Sequence, residues 1–92
     1  MLTIVAHSID QNLIELELAG RIGAAEASLL EGEFQCLSGD GTRLVLDLKG
    51  IRFIDRTGLA LLEQWSSKGL RWRGGSTFIQ KLLTANGLKG GL

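Results

Sequence analysis

Apolar and polar positions change period several times along the chain, and each change marks an element. Leu2-Thr3-Ile4-Val5-Ala6 reads as a short strand, and Ser8 to Asn12 carries turn chemistry, since Ser, Asp and Asn side chains satisfy nearby backbone groups. Leu13 to Leu18 alternates: Ile14, Leu16 and Leu18 point one way, Glu15 and Glu17 the other. That is a half-buried strand with one wet face, and it pairs with the first run as a hairpin. Ala19 to Gly23 reads as a break. Ala27, Leu30, Phe34 and Leu37 then recur at helical spacing and predict a helix over 24–37. Gly32 inside it costs about 1 kcal/mol against Ala, so this helix depends on tertiary packing.

A turn at Gly39-Asp40-Gly41 leads into Leu44 to Leu48, a second alternating run that feeds a core. Lys49-Gly50 reads as a break, after which Ile51, Phe53 and Ile54 carry apolar bulk into a short loop, Asp55-Arg56-Thr57-Gly58. Leu59 to Trp65 is rich in helix formers, so a helix starts at or beside Thr57; a basic last turn and Gly69 stop it. Leu70 to Arg73 is a short strand released by Gly74-Gly75. Ser76 or Thr77 caps a last helix through Phe78, Ile79, Leu82 and Leu83. Asn86-Gly87-Leu88 stops that helix, with Leu88 folding back on its last turn, and Lys89 to Leu92 is a loose tail. The order is β-β-α-β-α-β-α. Alternating βα units demand a sheet with parallel neighbours and helices packed on it, so the chain is predicted as a single α/β domain over 1–92 with a mixed sheet.

Ninety-two residues allow one core, and 45% apolar with 22% charged residues excludes a disordered chain. No run approaches the roughly 20 apolar residues that span a membrane, and the N-terminus lacks a signal-peptide pattern. The lone cysteine, Cys36, makes no internal disulfide, which fits a reducing compartment, the cytoplasm. His7 has no second ligand at metal spacing, and Cys36 has no base beside it, so no metal or cofactor is predicted.

The formal net charge is 0, but the halves differ. Up to Leu48, eight acids face two bases, a net −6; from Lys49, eight bases face two acids, a net +6. Two arrangements satisfy this: the halves neutralise each other in one fold, or Arg52, Arg56, Arg71 and Arg73 form a basic face for an acidic partner. Few aromatics interleave with the bases, which argues against direct nucleic-acid binding.

Asp55 is the only acid in its loop, and no His, Cys or second carboxylate accompanies it. General acid–base or nucleophilic chemistry needs a positioned pair, so an enzyme is not predicted. A helix N-terminus at Thr57 instead favours an anionic group, and Gly58 permits close approach of another backbone or a partner.

The stretch from Arg43 to Trp65 resembles the signature of the STAS domain (sulphate transporter and anti-sigma factor antagonist). That family carries an apolar strand ending in Asp-Leu, a short apolar link, then Asp-Ser-Ser-Gly before a leucine-rich helix. Asp47-Leu48, Phe53-Ile54-Asp55, Gly58-Leu59 and Leu61-Leu62 match as they stand, as do Gly20 after the second strand and Leu82-Leu83 through Gly87-Leu88. Thr57 falls on the serine that is the phosphoacceptor in anti-sigma factor antagonists. Arg56 replaces the first serine, Gly23 stands where many members have Asp, and the family's final strand and helix are absent, a shortening at the C-terminus.

The resemblance implies a bacterial regulatory module that binds a protein, either an anti-sigma factor that is also a serine-protein kinase, with phosphorylation at Thr57 as the switch, or the ATPase of an ABC-type lipid transporter as a standing subunit. In both, the working surface is Asp55, Arg56, Thr57 and Gly58, with Glu63 and Gln64 on the exposed side of the following helix. Leu59, Leu62 and Trp65 belong to the core, and Trp72 to the core or its edge. Thr57 has a second, purely structural role open to it, that of a helix cap. Exposed strand edges and a small core also suit a homodimer.

Overall fold

The computed structural model describes residues 1–39 and 41–88; the expected turn residue Asp40 and the expected tail from Lys89 lie outside them. The elements run β1 (Leu2–Asp10), β2 (Leu13–Ile22), α1 (Ala24–Leu37), β3 (Arg43–Ile54), α2 (Arg56–Ser66), β4 (Arg71–Arg73) and α3 (Thr77–Ala85), the order read from the sequence. The strands form one sheet in the order β1-β2-β3-β4. β1 and β2 are antiparallel, and β2, β3 and β4 run parallel, so the sheet is mixed.

Three strands are longer than their sequence pattern. β1 runs through Asp10, and its carboxylate accepts from the Asn12 N–H at 2.7 Å, closing the hairpin in two residues. β2 continues through Ala19 to Ile22, and β3 through Lys49 to Ile54, where the sequence suggests breaks. The reason is irregular pairing. Glu17 faces Asp47 while Ala19 faces Gly50, and Gly20 faces Ile51 while Arg21 faces Phe53. β3 therefore carries one extra residue at each step, and such bulges erase a period of two without ending a strand. Gly50 is needed there: a Cβ on it would lie 2.9 Å from that of Ala19.

Leu16, Leu18, Leu44, Leu46 and Leu48 turn one face of the sheet towards the helices. Ala27, Leu30 and Phe34 of α1, Leu61, Leu62 and Trp65 of α2, and Ile79 and Leu83 of α3 complete the core. Trp65 and Trp72 are buried, as expected, and Phe34 meets Trp65 edge-on with ring centres 5.2 Å apart. Both indole N–H groups lack a hydrogen-bond partner among the described residues. Ser76 caps α3 by accepting from the Ile79 N–H at 3.2 Å. At the other end Gly87, at φ +81°, lets Leu88 N–H reach the Leu83 carbonyl, and Leu88 folds back into the core. None of the described helices is long and apolar enough to cross a membrane.

Candidate functional site

Asp55 builds the site. It sits in extended backbone just before α2, and its carboxylate accepts from the Gly58 N–H at 2.9 Å. The other carboxylate oxygen accepts from the N–H of Ala24, the first residue of α1, at 3.1 Å. One side chain therefore satisfies a free donor at the start of two helices, where the positive ends of both dipoles favour its charge. Its own N–H donates to the Ile22 carbonyl at 3.1 Å, which ties the loop to the end of β2.

Gly58 is buried, and a Cβ on it would lie 2.4 Å from the Ile22 carbonyl oxygen. The close approach that glycine permits is to the chain's own strand. Thr57, expected as a possible cap, is not one: it is the second helical residue, and a cap must precede the helix in extended backbone, as Asp55 does. The Thr57 side chain is exposed, and its hydroxyl makes no hydrogen bond among the described residues.

Along α2, Arg56, Thr57, Ala60, Glu63 and Gln64 are all exposed, whereas Gly58, Leu61, Leu62 and Trp65 are buried. The exposed set recurs at three-, four- and seven-residue spacing, so it forms one continuous stripe along the helix. Of the residues singled out in the sequence, Arg56, Thr57, Glu63 and Gln64 share this surface, and Asp55 and Gly58 hold it in place from beneath. Leu59 is half-buried against the core.

Two further residues meet near the ends of β2 and β3. Phe53 is 46% exposed, and the Arg21 guanidinium lies 5.9 Å from its ring centre, a cation–π contact. Arg21 stands opposite Phe53 in the ladder, a neighbourhood visible only once β2 and β3 are known to continue past their apparent breaks. Gly23, which departs from the family pattern, is the N-cap residue just before α1: its N–H donates to Glu26 at 2.9 Å. That hydrogen bond holds the Glu26 carboxyl below its usual value of 4.5.

The basic face of four arginines does not form. Arg71 and Arg73 stand opposite Val45 and Asp47. Arg52 lies five residues further along β3, about 15 Å away at the usual rise of a strand. Arg73 is paired with Glu15, so the halves of opposite charge meet within the sheet. No three His, Cys, Asp or Glu side chains gather as a metal site among the described residues.

A family model described as "Mlab, STAS domain" matches residues 5–92. Among curated proteins, no sequence matches significantly. Among solved structures, an anti-sigma factor antagonist from Mycobacterium paratuberculosis superposes with a TM-score of 0.72 at 22% identity, over 94% of this chain and 80% of that one. The anti-sigma factor antagonist SpoIIAA in its unphosphorylated form gives 0.72 at 12% identity, over 98% and 88%. The murine anion transporter Slc26a9 gives 0.68 at 13% identity, over 94% of this chain but 18% of the transporter. At these identities the structures speak for the fold; the family model, which covers nearly every residue, speaks for kinship. With its β-β-α-β-α-β-α order and its Asp-Arg-Thr-Gly turn at the head of α2, the chain belongs to the STAS domain family.

Proposed function

We propose that this chain is a non-enzymatic docking module of the anti-sigma factor antagonist type, and that the Thr57 hydroxyl is its phosphorylation switch. One observation carries the reading: Asp55 does the capping, which leaves Thr57 exposed at the head of α2 with no structural duty for its hydroxyl. Unmodified, the exposed stripe from Arg56 to Gln64 docks on a protein partner, an anti-sigma factor with serine-kinase activity. A phosphoryl group there adds close to two negative charges at a helix N-terminus, which the helix tolerates and Arg56 can pair with. The same group would be forced into the interface, where it costs desolvation and repels acidic neighbours.

A second reading has its own support. The matching family model carries the MlaB description, and Arg56 replaces the first serine of the loop. Both favour a standing subunit that binds the ATPase of a bacterial ABC-type lipid transporter through the same stripe.

The test is capture of partners from native lysate by the wild-type protein, Thr57→Ala and Thr57→Glu, followed by binding assays with the partner identified. The switch reading expects a kinase-like anti-sigma factor, bound by wild type and Thr57→Ala and lost with Thr57→Glu. Because Thr57 is no cap, Thr57→Ala should unfold within about 0.5 kcal/mol of wild type. Equal binding by Thr57→Glu overturns the switch, and a transporter ATPase held by all three proteins establishes the second reading.

A further inference from the structure

β1 is the outer strand of the sheet, and its extensive contacts are with β2 alone. It is nine residues long, and from Leu2 to Ile9 it carries no Lys, Arg, Asp, Glu or Pro. Natural edge strands of this length are commonly blunted by charge, proline, a bulge or a covering segment, because a bare edge is a template for another strand. Here the irregularity comes only at the far end, between Ser8 and Asp10.

The pairing with β2 fixes which backbone groups are free. The Met1 carbonyl accepts from the Arg21 N–H at 3.1 Å, so Met1 faces β2. Alternate residues of an antiparallel strand turn both backbone groups to the same side. Thr3, Val5 and His7 therefore bond to β2, and Leu2, Ile4, Ala6 and Ser8 offer their N–H and C=O groups outward.

We infer that two copies of this chain associate edge to edge through β1, antiparallel about a two-fold axis, into one continuous eight-stranded sheet. A two-fold contact closes on itself and needs no second surface. The opposite edge, β4, is three residues long and carries Arg71 and Arg73, so it is a poor mate for a nine-residue strand. The register that uses all four outward residues sets Leu2 opposite Ser8 of the other copy and Ile4 opposite Ala6. Each such pair exchanges two hydrogen bonds, so the contact makes about eight, within the usual range of about 10 ± 5 for a protein interface. In this register Val5, 42% exposed in the single chain, meets its own counterpart, and His7 meets Thr3. No two charged side chains of like sign face each other.

Sedimentation equilibrium of the intact protein from 1 to 200 µM tests this. A dimer of roughly 20 kDa, twice the 9.9 kDa chain, is expected with a dissociation constant in the micromolar range. Ala6→Pro removes an outward N–H that β2 does not use, and Val5→Lys sets a charge against its own copy; each should weaken the dimer at least tenfold. Far-UV circular dichroism checks that both variants fold, and Val5→Lys, which leaves the backbone alone, decides the matter if the proline variant does not. Amide exchange gives a second readout: the Ile4, Ala6 and Ser8 amides should be protected in the dimer and fast in Val5→Lys. A wild-type protein that stays monomeric at 200 µM, or a dimer unmoved by Val5→Lys, overturns the inference.

Discussion

A single carboxylate decides the geometry of the head of α2. Asp55 accepts from Gly58 in its own helix and from Ala24 in α1, so its loss strips two donors at once. A cap alone is worth about 1 kcal/mol, and the second bond raises the expected cost of Asp55→Ala to about 2 kcal/mol. In a domain of this size that lowers the thermal midpoint by roughly 8–16 °C. Asp55→Asn should cost about half as much, because its amide oxygen still accepts while its NH₂ faces a donor. Gly58→Ala pushes a methyl into the Ile22 carbonyl and should cost about 1–3 kcal/mol. Thermal unfolding followed by circular dichroism measures all three; a loss under about 0.5 kcal/mol for Asp55→Ala would show that Asp55 does not join the two helices. The sequence marks Asp55, Thr57 and Gly58 as a loop at a helix start, but not which of them caps. That depends on where the first turn closes, within a residue or two, and composition does not resolve such a step.

At the scale of elements, regular segments were legible and irregular ones were not. The helices announced themselves by spacing, and Gly69 and Gly87 by their place after the last turn. β2 and β3 hid their second halves because bulges break the alternation on which a strand reading rests, and with those halves went the Arg21–Phe53 contact. The head of α1 supplies a test at this scale. Glu26 accepts from the Gly23 N–H at 2.9 Å and lies 3.4 Å from the Met1 ammonium. Its carboxyl titrates below 4.5 in the folded chain, chiefly through the Gly23 hydrogen bond. A group lowered on folding stabilises the native state above its unfolded value, and that stabilisation is lost as pH falls through the folded value. Urea unfolding at pH 6.5 and pH 3.5 should thus show a larger acid loss for wild type than for Glu26→Gln. Equal losses would mean that α1 starts without help from this carboxylate.

Across the whole molecule, the segregation of charge along the sequence becomes a meeting in space. Glu15 on β2 and Arg73 on β4 reach each other across β3, 58 residues apart in sequence. The sequence alone left open whether the basic half gathered into a face, because the answer depends on strand order: β3 lies between β2 and β4 and brings the two signs together. The partners differ in burial, with 11% of the Glu15 side chain exposed against 49% for Arg73. An exposed pair is worth about 0–1 kcal/mol, whereas a covered carboxylate that loses its partner leaves a charge with no compensation. Arg73→Ala should therefore cost more than Glu15→Gln, and the double variant should be nearly as stable as Glu15→Gln alone. A double-mutant cycle by urea unfolding at pH 7 should return a coupling of about 1 kcal/mol that shrinks only partly in 1 M salt, since Glu15 is shielded from solvent. Coupling within about 0.3 kcal/mol of zero would make the pair a surface contact, and the neutralisation of the two halves would then rest on long-range charge balance with no single bond between them.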